Sequence, residues 1–316
     1  MSTEKLKETI QKVFPDVETV ICWQEGFDKL HTTPLFMTAS AQEAKVVWNP
    51  LCVQNLTSYL PSMKKKVAVV VKGCDSRTIV QFMEEGLIDR NNVVIIGIPC
   101  RGVVSVKKVL RAVDFQPIED VKCVDDTVIV KTASGEKTLK VSDVWPDKCA
   151  TCQYPTPVIY DYLIGDAIES DKPAESVYED VREFETKTLE ERKAYFEREF
   201  GKCIRCYACR NACPMCVCQD SCIAETRDPH WITQKLSAQE KMMFHMIHSI
   251  HLAGRCVECG ECERVCPMDI PVAKIKKKIN AEMKYLYDYT TGANPDDKPP
   301  MYTFNVDEAK IKEHKL

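Results

Sequence analysis

The sequence predicts an α/β domain with a mostly parallel sheet, followed by a smaller α-helical module rich in cysteine. Two observations carry this. Lys66-Val-Ala-Val-Val-Val-Lys72 and Asn92-Val-Val-Ile-Ile-Gly-Ile98 are continuous apolar runs of strand length. Strands read this way when helices cover both faces of a parallel sheet, so that no side chain alternates toward water. In the second half, Cys-x2-Cys-x2-Cys-x3-Cys-Pro occurs twice, as Cys203, Cys206, Cys209, Cys213, Pro214 and as Cys256, Cys259, Cys262, Cys266, Pro267.

The elements follow in chain order. From about residue 17 to 165, strands alternate with short helices. Ser76 to Gly86 and Val103 to Val113 read as helices after the two buried strands, with Asp75 a natural N-cap for the first. Thr127 to Lys131 and Lys137 to Val141, joined through Ala133-Ser134-Gly135, read as a hairpin. Residues 166 to 200 turn Glu-rich and Lys-rich and predict a solvated helical connector. Ser237 to Leu252 reads as a helix with Ser237 at its N-cap and Gln239 and Glu240 in its first turn. After residue 276 the tyrosines and prolines form no independent core. The expected divisions are an α/β domain over 1–170 with one cluster, a helical linker over 171–197, a cysteine module with an insertion over 198–275, and a docking tail over 276–316.

The repeated run is the signature of a two-cluster bacterial ferredoxin, in which the fourth Cys of each run ligates the other cluster. One [4Fe-4S] cluster is therefore expected on Cys203, Cys206, Cys209 and Cys266, and a second on Cys256, Cys259, Cys262 and Cys213. The Pro after each fourth Cys fixes φ and turns the chain away. Zinc is the rival reading of paired Cys-x2-Cys. Two tandem runs of four thiols at 2-2-3 spacing, each closed by Pro, favour iron and sulfide.

A third [4Fe-4S] cluster is expected on Cys74, Cys100, Cys149 and Cys152. Cys74 follows the first buried strand and Cys100 the second. If those strands are parallel neighbours, both thiols emerge side by side at the carboxyl edge, where open α/β sheets place ligands. Gly73 permits close backbone approach, Pro99 fixes the turn, and Cys149-Ala-Thr-Cys152 offers a two-thiol bite. The competing reading makes Cys74 and Cys100 ordinary buried thiols, which behave as small hydrophobes.

Lys72-Gly-Cys-Asp75, Ile96-Gly-Ile-Pro-Cys-Arg101, and Cys149-Ala-Thr-Cys152 followed by Tyr160-Asp-Tyr-Leu-Ile-Gly-Asp166 resemble the beta subunits of coenzyme F420-reducing hydrogenase and F420-linked formate dehydrogenase, over roughly residues 60–170. The resemblance implies a [4Fe-4S] cluster and an FAD in this domain. It also implies electron passage between a deazaflavin or another carrier and a catalytic partner. Gly254-Arg-Cys-Val-Glu-Cys-Gly-Glu-Cys-Glu-Arg-Val-Cys-Pro267 is similar to the iron–sulfur subunits that accompany heterodisulfide reductases.

Composition narrows the alternatives. The chain has 316 residues, with 43 Lys and Arg against 47 Asp and Glu and a formal charge of −4, which gives no footing for nucleic acid or an anionic membrane. The 18 Cys stand without a recognisable signal peptide and without a membrane-length apolar run, so reduced thiols in the cytoplasm of an anaerobic cell are expected. There is no Ser/His/Asp array, paired catalytic carboxylates or phosphate loop. Cys22, Cys52 and Cys123 sit in or beside strand-like segments and are expected in the core. Cys216, Cys218 and Cys222 lie in polar sequence. A fourth cluster or a zinc there needs a further ligand, from Cys22, Cys52, Cys123, His230 or another chain. His245, His248 and His251 read as a partly exposed helix face, and Met242, Met243 and Met246 as core filling or a partner surface.

The expected function is an iron–sulfur electron-transfer subunit of an anaerobic oxidoreductase complex, relaying single electrons between a catalytic partner (formate dehydrogenase, hydrogenase or heterodisulfide-reductase-like) and a carrier. The alternative is an FAD-containing subunit that itself reduces F420 or a nicotinamide. A redox sensor is the third reading, and the charge balance lends it no support.

Overall fold

The computed structural model describes residues 3–218, 221–226, 233 and 235–304. The first domain contains strands β1 (Thr19–Glu25), β2 (Thr32–Met37), β3 (Val67–Val71), β4 (Val93–Gly97), β5 (Ile118–Val124), β6 (Thr127–Thr132), β7 (Gly135–Lys140) and β8 (Tyr162–Leu163). They form a five-stranded sheet in the order β2-β1-β3-β4-β8 and a separate three-stranded sheet, β5-β6-β7. In the larger sheet every pairing is parallel except the β1–β2 hairpin at one edge. The mostly parallel sheet expected from the apolar runs is therefore present. All five residues of β3 are buried, because helices and loops cover both its faces.

The helices are α1 (Thr3–Val13), α2 (Gly73–Glu84), α3 (Val106–Ala112), α4 (Asp147–Ala150), α5 (Glu179–Glu185), α6 (Leu189–Gly201), α7 (Ala208–Asn211), α8 (Ile223–Thr226), α9 (Ala238–Ile250), α10 (Glu261–Arg264) and α11 (Ala273–Tyr287). Helix α1 adds to the elements expected from sequence; it buries Leu6, Ile10 and Val13, one stripe at helical spacing. From residue 179 to 287 the described residues form helices and loops without a strand. No described helix is long and apolar enough to cross a membrane.

Two expectations about α2 need correction. The helix begins at Gly73, ahead of the expected Ser76 start, so Cys74 occupies its first turn and not a preceding loop. Asp75 is not the N-cap. It lies inside the first turn, accepts the Lys72 backbone N–H at 3.1 Å and pairs with Lys72 Nζ at 2.8 Å. Both side chains are buried, and this pairing, unavailable to an exposed cap, draws the carboxylate inward. The Ser237 cap holds as read: its hydroxyl accepts from the Glu240 N–H at 3.3 Å.

Beyond α11 the chain returns to the first domain. The Tyr289 hydroxyl meets Gln81 at 3.1 Å and Glu84 at 3.2 Å, and Arg77 donates to the Thr291 carbonyl through Nε and Nη2 at 3.0 and 2.8 Å. Residues up to 304 thus include a stretch packed on α2, while 305–316 lie outside the described residues.

Gly73 is where the sheet edge is tightest. A Cβ there would sit 1.7 Å from the Tyr154 carbonyl oxygen, whereas one at Gly201, at the end of α6, would meet nothing within 4 Å. Gly73→Ala is expected to lower stability by about 1–3 kcal/mol through overpacking against backbone. Gly201→Ala is expected to be neutral or to gain up to about 1 kcal/mol from helix propensity. Thermal unfolding of the two variants beside the parent chain checks the contrast.

Candidate metal centres

Strands β3 and β4 are in-register parallel neighbours, Val71 opposite Gly97, and Cys74 and Cys100 follow directly at their carboxyl ends. Pro99 precedes Cys100, whose N–H is held by the Pro155 carbonyl at 2.8 Å and whose sulfur accepts the Gly102 N–H at 3.4 Å. Helix α4 brings Cys149, and the turn after it Cys152, whose carbonyl accepts from Ser170 Oγ at 2.7 Å. Burial raises the Cys74 thiol well above its ordinary pKa and that of Cys100 to about 12. Cys149 pushes Cys100 further up, and Cys152 acts likewise on both. The four sulfurs therefore sense one another.

The two cysteine runs repeat one local backbone. The residues two and four positions after the first Cys are left-handed in both: Arg205 and Tyr207 in one run, Glu258 and Gly260 in the other. A four-residue helix follows at the same position in each, α7 and α10. Alternating handedness turns successive amides inward, and the resulting concavity suits an anionic group. The Arg205 N–H already points at Cys203 Sγ, 3.3 Å away.

One cavity of about 980 Å³ is lined by Cys74, Cys100, Cys149 and Cys152 from the first domain and by Cys213, Cys256, Cys259 and Cys262 from the second. A smaller cavity is lined by Cys203, Cys206, Cys209 and Cys266, with Tyr207, Phe244 and His245 beside them. Each expected quartet thus shares a cavity. Two of the three quartets share the same one.

The donor set can be tested against an iron–sulfur cluster by its charge. Lys276 on α11 is buried, and its Nζ has no hydrogen-bond partner among the described residues. Burial alone would depress the ammonium, but Cys262, Cys213, Cys256 and Cys209 outweigh it and hold the pKa above its ordinary value. An ammonium in that setting calls for a compensating anion among the thiols. A thiolate-ligated cluster is such an anion, so the residues present fit the group.

The surplus cysteines separate. Cys216 Sγ lies 3.2 Å from His248 Nε2, and Cys213, Cys216 and His248 offer ligand atoms within 4.8 Å of one another. Cys218 is exposed and Cys222 buried, His230 lies outside the described residues, and Cys22 and Cys52 are core residues of the first domain. The histidine stripe is corrected here: His245 and His248 are buried, and only His251 is exposed. Helix α9 packs that face against α6, where His245 stacks on Phe200 at 4.4 Å. Burial lowers the His245 and His248 pKa values to about 3 and about 2, so both rings are neutral.

Sequence reasoning does not find the lysines of the site. Lys72, Lys148 and Lys276 are spelled like any surface lysine, and only Lys148, next to Cys149, carries a hint in its position. Lys148 Nζ lies 3.8 Å from Cys74 Sγ and 2.5 Å from the Cys259 carbonyl oxygen.

Two regions of the chain match families of known proteins. Residues 64–191 match the family model for the C terminus of the coenzyme F420 hydrogenase/dehydrogenase beta subunit, and residues 202–270 match that of a 4Fe-4S dicluster domain. The F420-dependent formate dehydrogenase subunit beta of Methanocaldococcus jannaschii is 25% identical, over 92% of this chain and 90% of its own length. The F420-dependent formate dehydrogenase 1 subunit beta of Methanococcus maripaludis is 27% identical, over 90% and 88%. Among solved structures, a chain of the xenon-derivatised F420-reducing [NiFe] hydrogenase complex from Methanosarcina barkeri aligns with a TM-score of 0.36 and 17% identity, over 48% of this chain and 58% of that one. The two family matches follow one another along the chain, the first over residues 64–191 and the second over residues 202–270.

Proposed function

We propose that the protein is the iron–sulfur electron-transfer subunit of an F420-linked oxidoreductase complex, with three [4Fe-4S] clusters. The observation that carries this reading is the single cavity lined by eight thiols from two domains. Cys74, Cys100, Cys149 and Cys152 would hold one cluster, Cys213, Cys256, Cys259 and Cys262 the second, and Cys203, Cys206, Cys209 and Cys266 the third. When bound, such clusters accept and release one electron each. The partner is expected to be a catalytic subunit, a formate dehydrogenase by similarity to the relatives.

The chain's own part is to bring the three groups into series and to exclude water. The shared cavity sets the first group beside the second. Lys276 senses thiols of both the second and the third, Cys262, Cys213 and Cys256 from one and Cys209 from the other. Phe200, Phe244 and His245 close the third group on its inner side. Nothing in this arrangement needs a proton donor or a nucleophile.

A second reading gains support from the remainder of the large cavity. It extends past the thiols to Trp145, Tyr154 and Tyr178 and to Arg77, Arg101 and Lys172. Flat rings and cations of this kind suit a flavin nucleotide, and a flavin would divide a hydride pair into the single electrons that clusters carry. In that reading the subunit itself reduces F420 or a nicotinamide.

The anaerobically purified chain is expected to contain about twelve irons, four per quartet. Cys152→Ser should lower this by about four and leave the dicluster signals in place, whereas a parent value of about eight removes the first-domain cluster. Fluorescence of the acid-released supernatant separates the two readings: released flavin in amounts near one per chain favours the FAD-containing subunit, and its absence favours a pure relay.

A further inference from the structure

Lys148 stands at the seam between the two thiol groups of the large cavity. It belongs to α4, yet its side chain crosses to the second domain, with Nζ 3.8 Å from Cys74 Sγ and 2.5 Å from the Cys259 carbonyl oxygen. Lys72, close by, has its charge cancelled by Asp75 at 2.8 Å. Lys148 makes no ion pair with a carboxylate among the described residues, and Glu261 beside it is occupied by Arg264 at 2.7 Å. Its charge is left for the thiol groups.

The second domain is shaped to admit this side chain. Gly260 and Tyr207 occupy equivalent positions in the two cysteine runs, and both are left-handed, with φ of 71° and 57°. Tyr207 shows that the conformation does not itself demand glycine. At Gly260, however, a Cβ would lie 2.9 Å from Lys148 Cδ and 3.4 Å from Cγ. The glycine in this run therefore makes room for the lysine.

We propose that Lys148 is a positioning residue shared by the Cys74/Cys100/Cys149/Cys152 and Cys213/Cys256/Cys259/Cys262 groups, holding them together and setting the reduction potentials of both centres at once. This rests on the three-cluster reading above. A fixed cation favours whichever state of a neighbouring centre carries more negative charge, and does so strongly where water is excluded. One ammonium between two centres raises both potentials.

The test uses the full chain, purified anaerobically as parent, Lys148→Met and Lys148→Arg. Iron is counted and midpoint potentials are followed by EPR, with signals assigned through single Cys→Ser variants of each quartet. Lys148→Met keeps the stem and removes the charge. Both adjoining centres are expected to become harder to reduce by tenfold or more, about 59 mV for a one-electron couple, while the Cys203/Cys206/Cys209/Cys266 centre stays put and Lys148→Arg stays near the parent. With iron retained, a shift at one adjoining centre only, or at neither, overturns the proposal. If Lys148→Met loses iron, Lys148→Arg decides: recovery of iron and of both potentials supports the shared cation, and loss there too overturns it. A parent chain holding about eight irons marks failure of the three-cluster reading and takes this proposal with it, whereas full iron with unmoved potentials marks failure of this proposal alone.

Discussion

The structure depends on a seam of charged donors that the α/β domain places on the backbone of the dicluster domain. Lys107 Nζ reaches the carbonyls of Glu263 and Cys266 at 3.0 and 2.6 Å, Arg111 pairs with Asp269, and Lys148 takes the Cys259 carbonyl. From the opposite side, Arg255 clamps Glu85 at the end of α2, at 2.7 and 2.5 Å. Hydrogen bonds to charged groups contribute about 1.5–3 kcal/mol where partly buried and far less at the surface. Their larger effect is geometric. Three of these contacts land on the loop and helix of the second cysteine run, so the run cannot shift without moving relative to Cys74.

Electrostatics follows from that geometry. A cavity that gathers eight thiols would be unfavourable if all were ionised and unaccompanied, since burying charge without a partner is costly. The thiols answer by staying protonated: burial lifts Cys100, Cys256 and Cys262 to about 12. Lys148 and Lys276, by contrast, have their ammonium forms favoured by those same sulfurs only where the sulfurs carry negative charge. Neutral thiols alone would leave the two ammonium groups without a counter-charge. Such a set is balanced by an anionic guest. The same logic argues against reading Lys72 alongside them, because Asp75 neutralises it inside the first turn of α2.

Much of this was legible in the sequence, for identifiable reasons. The buried strands β3 and β4 could be read because continuous β-branched runs have few other uses, and the cysteine runs because their spacing leaves few other chemistries. The hairpin of β6 and β7 and the Ser237 cap were equally plain. Helix α1 could have been found from its Leu6, Ile10 and Val13 stripe. The burial of His245 and His248 could not, since it depends on α6 arriving from outside the cysteine module to stack Phe200 on the ring. Lys148 and Lys276 were invisible for a related reason: a lysine's burial is decided by what faces it across a domain boundary, which local spacing does not encode.

The two cysteine runs show what the boundary adds. As isolated repeats they are conformationally alike, down to paired left-handed residues, although the first carries Arg205 and Arg210 where the second carries Glu258 and Glu263. Their surroundings add a further asymmetry. The first run packs against α6 and α9, with Phe200, Phe244 and His245 beside its thiols and Cys206 exposed, and the α/β-domain cation nearest its quartet, Lys107, lands on the Cys266 carbonyl. The second run opens on the shared cavity and receives Lys148 through the space left at Gly260. Environments that differ in exposure and nearby charge give different potentials to chemically identical centres. The α/β domain thus brings more than one further quartet of thiols, because its docking adds Lys148 to the surroundings of the second run.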